Sequence, residues 1–290
     1  MKKPIILVTG SEGQLGNALK RHADRFSDFD FLFIDKNDVD LTDETDFIDF
    51  ANEYQVKFLI NCAAYTAVDL AEKEREIAQI VNADVPFMLA RYCKQRNIRL
   101  IHISTDYIFD GAGNSPLTES SRTNPLSVYG STKLEGERRV LEALSDAYVI
   151  RTSWVYSIFG KNFLKTMVNL GKQREELQVV FDQVGSPTCA GDLAEAILTI
   201  IQCIEAGEDF PGIYNYSNEG VISWYDFAVE IMKKANLSCK IIPIRTSEYP
   251  TAATRPVFSV LDKAKIKTVF GLTISHWSTS LEKTIKELQS

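Results

Sequence analysis

The sequence contains no C-x-x-C pair: its five cysteines, Cys62, Cys93, Cys189, Cys203 and Cys239, are odd in number and far apart. That argues against a disulfide framework or a zinc site, and a reduced, cytoplasmic protein is expected. No run approaches the roughly 20 apolar residues of a membrane span, so no membrane partner is expected. The apolar stretch 5–8, after a charged start at residues 1–3, stops at Thr9-Gly10, too soon for a signal-peptide core. A basic excess is also missing. Lys and Arg number 32 against 39 Asp and Glu, a net charge of -7, which argues against a nucleic-acid partner because such a surface needs a basic patch to displace counterions. The three histidines, His22, His102 and His276, have no spacing that suggests metal or triad chemistry. His102 lies inside an apolar run and reads as a satisfied core residue. Internal repeats, low-complexity tracts and Gly/Ser linkers are absent too.

What the chain does have is alternation. Segments 5–9, 29–34, 58–61, 100–104 and 148–151 read as buried strands, and 13–26, 44–54, 72–97 and 128–144 as amphipathic helices. Such alternation predicts an α/β fold: a Rossmann-like, doubly wound parallel sheet with helices on both faces. Right-handed crossovers then bring the strand C-termini to one edge, where such sheets bind ligands. Beyond residue 152 the pattern loosens. Helices are expected at 162–171, 191–206 and 223–235, the last entered through a capping box at Ser223 and Asp226. Turns at Pro187, Pro211-Gly212, Pro243 and Pro250 separate short strands. The expected organisation is a dinucleotide-binding part at 1–151 and a smaller α/β substrate lobe at 152–290, interleaved with the main sheet.

The first strand runs into Gly10-Ser11-Glu12-Gly13-Gln14-Leu15-Gly16, a G-x-x-G-x-x-G loop opening a helix. Gly10 permits the sharp turn, Gly13 admits a pyrophosphate, and Gly16 lets helix and strand pack closely. The helix N-terminus presents free N–H groups to the phosphates. Asp35 falls about 20 residues later, at the end of the second strand, where a carboxylate holds the adenosine ribose hydroxyls. Lys36 beside it suits a 2′-phosphate instead, so NADPH and NADH both stay open. Asp40 and Leu41 are candidates for the adenine site; Thr42 or Asp43 can equally cap the next helix.

Tyr129 and Lys133 form a Y-x-x-x-K pair, one helical turn apart and on one face. An ammonium beside a phenol lowers its pKa and makes it a usable acid or base. The fourth strand ends in Ser104-Thr105-Asp106, placing Thr105 where a hydroxyl can donate to a carbonyl oxygen gaining charge. The third ends in Asn61-Cys62-Ala63-Ala64, small residues suited to close cofactor approach. Each signal alone is weak; their order along the chain is what makes them specific.

On these motifs the chain resembles the extended short-chain dehydrogenase/reductases and, among them, the dTDP-4-dehydrorhamnose reductase family. The matching segments are 61–69, 81–83, 104–111, 129–133, 151–156, 162–163, 182–188 and 255–262. The resemblance implies hydride transfer from NADPH or NADH to C4 of a dTDP-linked 4-keto-6-deoxysugar, with Tyr129 as proton donor. It further implies that Lys133 holds the nicotinamide ribose, that Thr105 steadies the oxygen, and that Ala63, Ala64 and Thr66 line the cofactor. Trp154 would contact the sugar with Asp106 nearby, although Trp154 also suits core packing. Arg255 would hold nucleotide phosphate, or form a surface salt bridge.

Two departures from the family pattern stand out. Ala18 occupies a position where some relatives carry a magnesium-binding Glu between subunits, so no metal and a monomer or weak homodimer are expected. Cys62 replaces a commoner alanine. Dehydratases on this fold follow the strand-end Thr-Asp with Glu; here Tyr107 stands there, and a phenol with a reference pKa near 10 cannot act as a carboxylate. The alternatives are another sugar-nucleotide reductase or epimerase, and a non-catalytic nucleotide-binding regulatory subunit.

Overall fold

The computed structural model describes residues 3–289, so Met1 and Lys2 of the charged start lie outside the described residues. The five apolar runs form β1 (Ile5–Thr9), β2 (Asp30–Phe33), β3 (Val56–Asn61), β4 (Arg99–Thr105) and β5 (Tyr148–Thr152). These pair in parallel in the order β2-β1-β3-β4-β5. A sixth strand, β6 (Gly212–Tyr216), comes from the C-terminal half and pairs parallel with β5. The strands β1 and β3–β5 are mostly apolar at their centres because both faces are covered. Ile6 and Val8 face one layer and Leu7 the other.

The first layer contains α1 (Gln14–Ala23) and α6 (Ala190–Glu205), whose Leu15, Leu19, Leu193 and Ile197 share a core with the sheet. The second contains α2 (Glu44–Ala51), α3 (Val85–Arg96) and α4 (Val128–Ala143), through Phe47, Leu89 and Val140. Residues beyond 152 thus supply both a strand and a covering helix to the main sheet. The rest of that half packs α5 (Phe163–Gly171) and α7 (Trp224–Lys234) around Met167, Phe227, Ile231 and Leu281. It carries two parallel strand pairs, Glu176–Val180 with Lys240–Ile244 and the short Val155–Tyr156 with Thr188–Cys189. The Ser223/Asp226 capping box forms as expected. No helix of the described residues is long and apolar enough to cross a membrane.

One expected helix is broken. Residues 72–74 stay outside any helix, and 75–96 form a short helix at Arg75–Gln79, a π-turn at Ile80–Asp84, and then α3. Pro86 accounts for the π-turn: it has no N–H for the carbonyl of Asn82, four residues earlier. The Val85 N–H reaches back five residues to Ile80 O, widening the turn. The break has a use. The Asn82 backbone lies against Gly136 of α4, where an added Cβ would come 2.1 Å from Asn82 O. Its side chain accepts from Tyr65 N at 2.9 Å and donates to Thr132 Oγ1 at 3.2 Å. Glu72, outside the helices, accepts from Val128 N at 2.8 Å and anchors the start of α4.

Candidate active site

The strand order reverses direction at β1, between β2 and β3, which is where doubly wound sheets open a crevice. A cavity of about 530 Å³ lies there, lined by Gly10, Gly13, Asp35, Lys36, Asp40, Leu41, Ala63 and Ala64 among others. Gly10 has φ +63°, and a Cβ on it would meet Ala63 N at 2.6 Å. A Cβ on Gly16 would come 2.5 Å from Gly10 O and Ser11 Cα, so glycine is needed for the helix to pack on the loop. Helix α1 begins with no side-chain cap and no acidic residue in its first turn. Its leading N–H groups are therefore available to an anion, which fits a dinucleotide pyrophosphate.

Not every residue of the loop faces that cavity. Ser11 is buried, with its N–H on Ile34 O, and Glu12 pairs with Lys20 while its N–H donates to Asp35 Oδ2 at 3.1 Å. The Leu15 side chain lies in the core. Gln14 turns its side chain to the other half of the molecule. It donates to Val155 O at 3.2 Å and accepts from Asn162 Nδ2 at 2.8 Å and Ser157 Oγ at 3.0 Å. Thr66 is exposed and does not line the cavity. Asp43, not Thr42, caps α2, accepting from Thr45 N and Asp46 N. Asp40 and Leu41 lie on the cavity wall, with Thr42 beside them.

At the C-terminal end of β4, Thr105, Asp106, Tyr129 and Lys133 come together, all buried. Tyr129 is hydrogen-bonded with Thr105 and lies edge-on to Tyr107, ring centroids 5.4 Å apart. The expected effect of Lys133 on the phenol is not found. Lys133 Nζ donates to Ile103 O at 2.6 Å, and burial, only partly offset by Thr105, pushes Tyr129 up to about 12. Burial also brings Lys133 down to about 8, against an opposing pull from Glu137. Asp106 is raised by burial to about 6, while the Ser259 and Thr105 hydroxyls pull it back. Its Oδ2 has no partner. His102 is half satisfied: its ring pairs with Asn61 Nδ2 at 3.1 Å, but Nε2 has no partner, and burial keeps the ring neutral.

Trp154 adopts φ +48° and stacks on Trp224 with centroids 3.6 Å apart and planes within 10°. Its ring also lies close to Gly185, where an added Cβ would be 2.8 Å from it. Trp224 and Ser259 carry no local signal in the sequence that brings one to Trp154 and the other to Asp106. Arg255 takes the salt-bridge alternative: Nη2 and Nη1 reach Asp69 Oδ2 and Oδ1 at 2.6 and 3.2 Å, so the guanidinium is already engaged. Arg255 and Trp224, with Phe163, Gln183 and Tyr249, line a second cavity of about 600 Å³ in the C-terminal half.

A family model described as the RmlD substrate binding domain matches residues 2–290. A dTDP-4-dehydrorhamnose reductase of Aggregatibacter actinomycetemcomitans is 38% identical over 285 residues, covering 96% of this chain and 97% of its own. The chain belongs to the dTDP-4-dehydrorhamnose reductase family. Solved structures of that family superpose closely. The Clostridium acetobutylicum reductase aligns with a TM-score of 0.93 at 39% identity, covering 99% of this chain and 100% of its own. The Bacillus anthracis reductase, determined in complex with NADP, aligns with a TM-score of 0.94 at 36% identity and the same coverage.

Proposed function

We propose that the protein reduces dTDP-4-dehydro-β-L-rhamnose to dTDP-L-rhamnose with NADPH, and with NADH more weakly. The observation that carries the reading is the meeting of Thr105, Tyr129 and Lys133 at the end of β4 in a member of this reductase family. When bound, the nicotinamide supplies a hydride to sugar C4. Tyr129 gives its proton to the oxygen that develops charge, and a phenol held near 12 carries that proton throughout the neutral range. Thr105 donates to the same oxygen. Lys133 has two N–H donors left beyond the one on Ile103 O, enough for the two hydroxyls of the nicotinamide ribose.

For the rest of the cofactor, the α1 N-terminus takes the pyrophosphate, Ala63 and Ala64 allow close approach, and Asp40 and Leu41 flank the adenine. Lys36 on the cavity wall favours a 2′-phosphate, in keeping with the NADP bound by the Bacillus anthracis relative. The sugar is proposed to lie against Trp154, with the unpartnered Asp106 oxygen accepting from one of its hydroxyls. The dTDP half would enter the larger cavity beside Trp224, where Arg255, held by Asp69 and Ala253 O through three of its five N–H groups, can offer the remaining donors. Ala18 offers no metal ligand, which supports a monomer or weak homodimer without a bridging ion. Free thiols at all five cysteines suit a cytoplasmic setting.

The test is NADPH and NADH oxidation, followed at 340 nm, with dTDP-4-dehydro-L-rhamnose generated from its precursors. Product formation with faster NADPH turnover supports the reading. Tight cofactor binding without turnover would overturn it, in favour of another ketosugar or a regulatory role.

A further inference from the structure

Glu137 and Arg151 form an ion pair with side-chain exposures of 2% and 4%, deep between α4 and the sheet. Arg151 Nε reaches both Glu137 oxygens, at 3.1 and 3.2 Å, and Nη2 reaches Oε2 at 2.8 Å. Ser104, opposite Arg151 in the β4–β5 register, donates to Oε1. Arg151 Nη1 continues to Glu119 O at 3.0 Å. Burying two charges is costly, and an apolar pair of similar volume would commonly be as stable. The position of the pair gives it another use. Tyr129, Lys133 and Glu137 are spaced i, i+4, i+8, so they share one face of α4.

We propose that Glu137, clamped by Arg151 and Ser104, is a positioning residue that keeps Lys133 charged and aimed at the cofactor ribose. This rests on the role given to Lys133 above. Glu137 makes no ion pair with Lys133, whose ammonium is held by Ile103 O, so its influence is electrostatic and orientational. The other ionisable groups around Lys133 cannot replace it. Cys62, at the end of β3, is pushed up to about 12 by burial and stays a neutral thiol. His102, on β4, is kept neutral, and Tyr129 holds its proton to about 12. Arg151, on β5, carries a positive charge that Glu137 offsets. Glu137 is thus the one nearby group among these that favours the ammonium in the range where Lys133 titrates.

The experiment is the Kd for NADPH, read by nucleotide fluorescence between pH 7 and 10, for the full-length wild type, Glu137→Gln and Glu137→Asp. In the wild type, affinity falls as pH rises through the Lys133 transition. In Glu137→Gln that fall should move about one unit to lower pH, the scale of one charge acting through a poorly screened interior. Glu137→Asp, which keeps the charge, should restore it. Superimposable pH profiles with a uniform loss of affinity would overturn the proposal and leave the pair a structural brace. If Glu137→Gln does not fold, Ser104→Ala decides. Removing that hydroxyl leaves the carboxylate less screened, so the fall should move to higher pH, and an unmoved curve overturns the idea. Wild type that binds NADPH with the expected pH dependence but reduces no ketosugar would sink the proposed function, not this inference.

Discussion

Lys133 donates to the carbonyl oxygen of Ile103 at 2.6 Å, and this bond, not one to Tyr129, fixes the ammonium beneath the end of β4. The tyrosine is therefore not primed as a phenolate. Its burial keeps the proton on, which suits a donor in reduction and would hinder a base.

Tyr129→Phe keeps the ring and its edge-on contact with Tyr107 but has no proton to give. Turnover should fall by roughly 10²–10⁴-fold, the usual contribution of a positioned acid, with NADPH affinity close to wild type. Steady-state kinetics together with a binding titration separate the two. A near-normal kcat would remove Tyr129 from the chemistry.

Lys133→Met should make the protein more stable and less active. The folded-state pKa, about 8, lies below the reference 10.5, so the unfolded chain binds the proton more tightly. The charged side chain thus costs stability at neutral pH, and that cost shrinks as pH rises from about 8 towards 10.5. Methionine of similar length should raise stability at pH 7 by roughly 1–3 kcal/mol. Melting curves at pH 7 and pH 10 should show the gain mostly at the lower value. A destabilised variant at pH 7 would contradict the argument.

Asp106 has the opposite sign. Burial raises its carboxyl from 3.8 to about 6, so its stability contribution is present below pH 3.8 and lost as pH climbs through 6. Asp106→Asn should therefore be more stable than wild type at pH 8 by roughly 1–3 kcal/mol and about equal to it near pH 4. Denaturant titrations at those two values test this; a gap that widens on acidification would refute it.

Gly130, inside the Y-x-x-x-K segment, has no room for a side chain. A Cβ there would sit 2.2 Å from Tyr107 O and 3.0 Å from Tyr107 C, and backbone cannot swing aside as a side chain can. Gly130→Ala should lose about 1–3 kcal/mol, as overpacked sites do, and should slow turnover by shifting the first turn of α4. The neighbouring exposed Ser131→Ala should stay within about 0.5 kcal/mol of wild type. Equal stability of the two variants would show that α4 adjusts freely.

The parts of the site legible in the sequence are those whose chemistry is local. The glycine loop must follow a strand and open a helix, and Tyr129 and Lys133 need only one helical turn between them. The ends of β3 and β4 were marked by a change from apolar to small or hydroxyl side chains. What stayed hidden depends on distant partners. Arg255 meets Asp69 across 186 positions, and Gln14 meets Asn162 across 148. The Trp154–Trp224 stack and the Ser259 hydroxyl at Asp106 are likewise products of topology. The broken helix at 72–97 is different: Pro86 stood in plain view, and its missing N–H was the signal to interrupt the periodic pattern.

The placement of β6 has a consequence for how the molecule can be made and cut. Its residues 212–216 pair with 148–152, so the sheet is complete only when a chain segment some sixty positions later arrives. During synthesis β5 waits with one row of N–H and C=O groups unpaired, and α6 is not yet there to cover Ile150 and Tyr148. Bare edges of this kind recruit other chains, and long-range pairings form slowly. A fragment ending at residue 151 would carry the glycine loop yet lack both its border strand and part of its roof. It should aggregate instead of binding nucleotide, and nascent chains stalled between 152 and 216 should be the ones that need a chaperone most.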